Sequence, residues 1–169
     1  NVFSGINIIA SGTVRAGDFV KLDTGEEGYV VDVSWRTTTI KALSNNFVVI
    51  PNSKLANAIT TNFNLPQKEM AVLVDVGVSY DSDLERIEKV TIEVAREIQK
   101  ELKEAVPNWD PFIRFHKFND FSIDFSVHLR TRKFEDQFIL KHEFIKRLHQ
   151  RYKKEGIEIP YPIRTVYTK

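Results

Sequence analysis

The sequence predicts an α+β chain in two parts, a small all-β domain followed by an α/β domain of ferredoxin-like order. Three observations carry that expectation. Residues 13–65 are Thr-rich and β-branched, with short apolar runs punctuated by Gly and Asn, the pattern of short strands joined by tight turns. Beyond Leu65-Pro66 the periodicity runs strand, helix, strand, strand, helix, strand, which buries one sheet face under two helices. Charge shifts at the same point: residues 1–65 hold five basic and five acidic side chains, the rest 19 and 18.

In the first domain the strands are expected at 18–22, 28–36, 38–43 and 47–50. Asp23-Thr24-Gly25 and Ser44-Asn45-Asn46 provide turns. Pro51 cannot donate to a ladder, so it ends the last strand or sits at an edge. Strands this short in about fifty residues suit a closed or nearly closed barrel, which removes exposed edges. Gly28 opens the long strand after Glu26-Glu27, at a position where a side chain would crowd the backbone or where φ is positive.

The second domain opens with 70–80, where Val72, Val74, Val76, Val78 and Tyr80 share one face and Asp75, Gly77 and Ser79 the other. Asp81-Ser82-Asp83 offers a helix N-cap, and the helix is expected to run to about Ala105, with Leu84, Ile87, Thr91, Val94, Ile98 and Leu102 facing the core and Pro107 as its stop. The strands 112–118 and 121–130 form a hairpin around Asn119-Asp120. Ile113 and Phe115 share parity with Phe121, Ile123, Phe125, Val127 and Leu129, and opposed residues of a hairpin share a face, so the loop must contain an odd number of residues. Three residues are expected, with Asn119 or Asp120 left-handed. A second helix over 135–154 carries the stripe Phe138, Ile145, Leu148 and Tyr152 and ends at Gly156. Residues 157–159 can complete the sheet, but Pro160 and Pro162 interrupt the ladder. Residues 163–169 then continue without a partner inside the chain, which hints at pairing with another chain.

The composition limits the chemistry. Among 169 residues there is no cysteine, which removes disulfides, thiolate metal sites and a thiol nucleophile, and a net charge of +1 argues against a strongly cationic nucleic-acid binder. His142 and His149 stand seven apart on a helix, about 10 Å, too far to share one ion. Glu85, Glu88, Glu97 and Glu101 alternate with Arg86, Lys89, Arg96 and Lys100 at intrahelical salt-bridge spacing, a solvated helix face. Lys146, Arg147, Arg151, Lys153 and Lys154 read as a solvated helix end. No nucleophile elbow, phosphate loop or dinucleotide fingerprint occurs, so no enzyme activity, catalytic residue, cofactor or metal is expected. The alternative function is a soluble RNA-binding module. Against it, the open face of the third strand shows Ser122, Asp124, Ser126 and His128 rather than stacked aromatics, so no nucleic-acid partner is expected.

The first twelve residues cluster Val2, Phe3, Ile6, Ile8, Ile9 and Ala10, too short a run to span a bilayer. They read as a buried core segment or as the tail of a membrane helix.

The motifs taken together resemble one family. They are Arg15-Ala16-Gly17-Asp18, Gly28 to Asp32, Ile50-Pro51-Asn52-Ser53-Lys54, Asn62-Phe63, Gly77-Val78-Ser79-Tyr80-Asp81-Ser82-Asp83 and Gly156-Ile157-Glu158-Ile159-Pro160-Tyr161-Pro162. In this order over essentially the whole chain they resemble the small-conductance mechanosensitive channels of MscS type. The resemblance implies that residues 1–12 end the last pore-lining helix, 13–65 form an Sm-like β-barrel domain, 66–162 a ferredoxin-like domain, and 163–169 a C-terminal strand of a parallel barrel shared among seven subunits. It marks Gly17, Asp18, Gly28, Pro51, Asn52, Asp81, Asp83, Pro160 and Pro162 as structural motif positions, and Arg164, Thr165, Val166 and Tyr167 as the assembly strand. The implied whole is a heptameric channel of the cell membrane that opens under tension in osmotic downshock to release ions and small solutes. This chain would be its cytoplasmic cage, without the transmembrane pore and without a cofactor. At Asn64-Leu65 the sequence departs from the Ser-Arg that many members carry.

Overall fold

The computed structural model describes residues 11–168. The segment expected to end a pore helix lies outside them apart from Ser11 and Gly12. The chain divides into two compact units, Asn1–Lys68 and Glu69–Lys169.

The first unit is a five-stranded antiparallel sheet in the order β4-β3-β2-β1-β5. Its strands are β1 (Phe19–Leu22), β2 (Glu27–Val33), β3 (Thr37–Lys41), β4 (Phe47–Pro51) and β5 (Thr60–Asn62), with a one-turn helix α1 (Asn52–Leu55) before β5. Alternation puts Val20, Leu22, Val30, Ile40 and Ile50 on one face, where they pack with Val14 and Leu55. A bulge at Val31 shifts the β2–β3 register and bends β2 locally. Asn45 takes the left-handed conformation the Ser44-Asn45-Asn46 turn needs (φ 69°). The sequence showed neither α1 nor β5. β5 carries only threonines and an asparagine, without an apolar alternation to announce it.

The second unit contains β6 (Met70–Val78), α2 (Leu84–Glu101), β7 (Phe112–Phe118), β8 (Ile123–Thr131) and α3 (Asp136–Glu155), with sheet order β6-β8-β7. Both helices contribute to a core with Val72, Val74, Phe125, Val127 and Leu129 from the sheet.

Four expectations are corrected here. α2 stops at Glu101 rather than near Ala105, because Gln99 is buried and bonds the chain that follows. Its Nε2 donates to the carbonyls of Val106 (2.7 Å) and Arg130 (3.1 Å), its Oε1 accepts from the Arg130 N–H, and Ala105 pairs with Thr131. The hairpin loop spans four residues, 119–122, and neither Asn119 nor Asp120 has positive φ. A bulge at His116 supplies the odd residue instead, so Phe115 still faces Phe125 while Phe118 faces Ile123. On α3 the buried stripe is Leu140, Phe144, Leu148 and Tyr152, whereas Phe138 and Ile145 are exposed. Finally, residues 157–159 do not form a fourth strand. The Ser79 N–H donates to the Glu158 carbonyl (3.3 Å), which aims alternate residues from Glu158 onward at the β6 edge. The next two in that phase are Pro160 and Pro162, which have no N–H, and the ladder stops.

Candidate functional site

Two structural motif positions of the first unit, Gly17 and Asp18, belong to one hydrogen-bonded seam. Gly17 turns at φ 93°, donating its N–H to the Val30 carbonyl (2.8 Å), and Val30 returns a bond to the Asp18 carbonyl (2.8 Å). The Asp18 carboxylate accepts from Asn62 Nδ2 (2.8 Å) and from the Arg15 N–H (3.1 Å), so one side chain fastens β5 beside β1. Asn64 extends the seam, accepting from the Phe19 N–H (3.1 Å). Gly28 is a site of crowding rather than of positive φ: a Cβ there would lie 2.7 Å from the Lys41 carbonyl carbon and 2.9 Å from the Ala42 nitrogen.

Pro51 closes β4 opposite Thr37, at the edge of the sheet, and caps α1. Asn52 behind it is 1 % exposed. Its Oδ1 accepts from the Thr38 hydroxyl (2.8 Å), its Nδ2 donates to the Ser34 carbonyl (2.8 Å), and its own N–H reaches the Arg36 carbonyl (2.9 Å). In the second unit Asp83 is the N-cap of α2, accepting from the N–H groups of Glu85 (3.1 Å) and Arg86 (3.2 Å), while Asp81 is exposed. These positions build turns and caps. Among the described residues no group of three or more acidic or histidine side chains could hold a metal.

Two surfaces are left open. β4 is an edge strand whose run Phe47-Val48-Val49-Ile50 is apolar on both faces. Such a run calls for cover on both sides. Ile50 is buried, but Phe47 and Val49 are 67 % and 59 % exposed, and Val31 and Leu43 of the same unit are exposed as well. The second open surface is the C-terminal segment. Beyond Glu158 no described residue takes part in a main-chain hydrogen bond, and Tyr161, Ile163, Val166 and Tyr167 are exposed, as are Arg164 and Thr165. An apolar edge and an apolar unpaired segment are what association between chains covers. The lack of alternation in the run Phe47-Val48-Val49-Ile50 is the signal in the sequence for the first surface.

The charges of the second unit are arranged differently from the expected solvated faces. Among the described residues no ion pair forms within α2. Instead α2 is clamped to α3: Arg151 lies 2.6 Å from Glu93 and 4.0 Å from Glu97, Arg86 lies 3.1 Å from Glu155, and Arg147 pairs with Glu101. Hydrogen bonds from Arg151 and Arg86 hold the Glu155 carboxyl below its ordinary pKa. On the open face of the sheet, β7 contributes an aromatic that β8 lacks, with Phe112 stacked on His128 at 4.4 Å and the Arg114 guanidinium 4.5 Å from the Phe112 ring.

Known proteins agree on one lineage. The family model for the β-domain of mechanosensitive ion channels matches residues 1–65, and that for the C-terminal part of the MscS mechanosensitive ion channel matches residues 72–159. The small-conductance mechanosensitive channel MscMJ of Methanocaldococcus jannaschii is 30% identical over 99% of this chain and 47% of its own length. The large-conductance channel MscMJLR of the same organism is 28% identical over 100% and 47%. The crystal structure of Helicobacter pylori MscS in its closed state superposes with a TM-score of 0.82 at 24% identity, over 99% of this chain and 64% of that one. The chain thus spans about half the length of the curated relatives it matches. None of these matches supports the RNA-binding alternative. The two matched segments cover both units of the fold, and the chain belongs to the MscS family of mechanosensitive ion channels.

Proposed function

We propose that this chain is the cytoplasmic cage portion of a tension-gated channel and that seven copies enclose a chamber through which ions and small solutes pass during osmotic downshock. The carrying observation is the β4 edge, apolar on both faces and covered on one, in a chain that belongs to a channel family. Neighbouring copies cover Phe47 and Val49. The five-stranded antiparallel sheet of short strands with its bulge at Val31 supports the Sm-like reading of the first unit, and the order β6-β8-β7 corresponds to three of the four strands of a ferredoxin-like sheet. Residues 163–169 supply one strand each to a parallel barrel, and residues 1–12 end the helix that lines the pore.

In that arrangement gating lies in the membrane helices and the cage sets what reaches the pore. A near-neutral chain imposes a weak field on permeating ions. Patch recording of the whole channel in bacterial spheroplasts tests the reading. Suction should open discrete conductances, and Phe47→Lys together with Val49→Lys should reduce the number of assembled channels without altering the pore. Absence of any tension-activated current from correctly inserted protein contradicts it.

A further inference from the structure

We infer that the turn joining β2 to β3 in the first unit is a contact point for an anionic lipid surface, an inference that rests on the cage reading. The turn presents Trp35, 56 % exposed, with the Arg36 guanidinium 5.1 Å from the ring. Among the described residues Arg36 has no carboxylate partner. An exposed tryptophan beside an unpaired arginine is the chemistry of a bilayer interface, where the indole sits among headgroups and the cation meets phosphate.

Three further features favour a built contact over an accident of the surface. The backbone around the tip is locked. The Ser34 hydroxyl and N–H both donate to the Thr37 carbonyl (2.9 Å each), while buried Asn52 holds the carbonyls of Ser34 and Arg36 from behind. The backbone that carries Trp35 is therefore already held, which lowers the entropic cost of ordering the turn at a membrane. The position also fits. β1 begins opposite Tyr29, so β2 and β3 project past it, at the end of the sheet where Gly17 bonds Val30 and Asn62 bonds the Thr13 carbonyl. Residues 13–18 therefore approach the sheet at the end that carries the tip. They follow the apolar segment that the cage reading places at the membrane. The nearest acids at this end are Asp18, held by Asn62, and exposed Asp32, which limits the cationic attraction and leaves the indole as the main anchor.

The test uses the purified chain with Trp109→Phe, which leaves Trp35 as its single tryptophan. The Trp109 Nε1 has no hydrogen-bond partner, so phenylalanine strands no acceptor. Vesicles of phosphatidylglycerol with phosphatidylcholine should shift Trp35 emission to the blue and sediment the protein. Trp35→Ala should lose sedimentation, and Arg36→Gln should weaken binding about fivefold and erase the preference over pure phosphatidylcholine. If Trp109→Phe does not fold, Trp35→Phe in the natural background should abolish the vesicle-induced shift. Emission that ignores vesicles, as expected if the tip docks on protein instead, overturns the inference. So does undiminished sedimentation of Trp35→Ala. Light scattering on the same samples separates the two claims: a heptamer with silent Trp35 removes only this inference, whereas a monomer removes the cage reading.

Discussion

The hydroxyls of Thr91 on α2 and Tyr152 on α3 hydrogen-bond to each other, with both residues at most 1 % exposed. Burial pushes the Tyr152 phenol up to about 12, against the opposing pull of the Thr91 bond. The folded pKa thus lies above the unfolded value near 10. The neutral phenol's contribution is fully present below pH 10 and is lost as pH rises from 10 towards 12. Chemical denaturation at pH 9 and pH 11 should show the second unit losing on the order of 1–2 kcal/mol more in the natural protein than in Tyr152→Phe. Equal losses contradict the assignment.

Gly28→Ala should lower the stability of the first unit by about 1–3 kcal/mol, since the added carbon meets backbone of β3 that cannot rotate away. Gly28→Val should cost at least as much. Thermal unfolding followed in the near ultraviolet reads the effect, and an unchanged midpoint would show that β2 and β3 can separate at no cost.

Asn52→Leu leaves the Thr38 hydroxyl and the Ser34 carbonyl without their partner in a buried place, an expected loss of about 2–3 kcal/mol. Asn52→Asp keeps the acceptor for Thr38 and removes the donor to Ser34. At neutral pH it also buries a carboxylate against that carbonyl, so its denaturant midpoint should fall at least as far as that of Asn52→Leu, and a midpoint near the natural value would show that the Ser34 bond carries nothing.

The clamp between α2 and α3 is partly exposed, so screening should weaken it. Arg151→Met should destabilise the second unit less than Asn52→Leu destabilises the first, and the deficit should shrink as salt is added. The Glu155 carboxyl is held low, so its share is present above the ordinary carboxylate pKa and disappears as pH falls through the folded value. A deficit independent of salt would mean that Arg151 acts through packing.

What the sequence revealed and what it hid follow from the range of the interactions. Strand alternation is local, so Val72, Val74, Val127 and Leu129 could be read directly as core. The facing of Phe115 and Phe125 was equally legible, but the odd-numbered loop it implied is absent: the loop has four residues, and the odd residue sits in a bulge at His116, which parity alone cannot locate. On α3 both Phe138 and Leu140 are apolar at helical spacing, and only the rotation of the helix on the sheet decides that Leu140 goes in. The charges of α2 sit at intrahelical spacing, yet Glu93 and Glu101 pair with α3 because that helix lies alongside, a fact no window of sequence contains. Pro160 and Pro162 are legible as interruptions because proline has no N–H to donate. Their full effect needed the phase set by Ser79 and Glu158.

Within the proposed barrel, Thr165 is expected to face the lumen and Arg164 to lie outside or at a wet mouth, since seven guanidinium groups in a narrow dry space would repel one another. Thr165→Arg should therefore break the assembly, and Arg164→Gln should leave it intact. The reverse pattern in analytical ultracentrifugation would invert the facing of the strand.

The most direct test of the central claim is light scattering on the purified chain with and without residues 163–169. The intact chain should show seven times its monomer mass, and the shortened chain a smaller or dissociating species whose subunits keep their helical and sheet signal, since both cores end before Pro162. A monomeric intact chain, or a shortened chain that stays fully heptameric at low micromolar concentration, would contradict it.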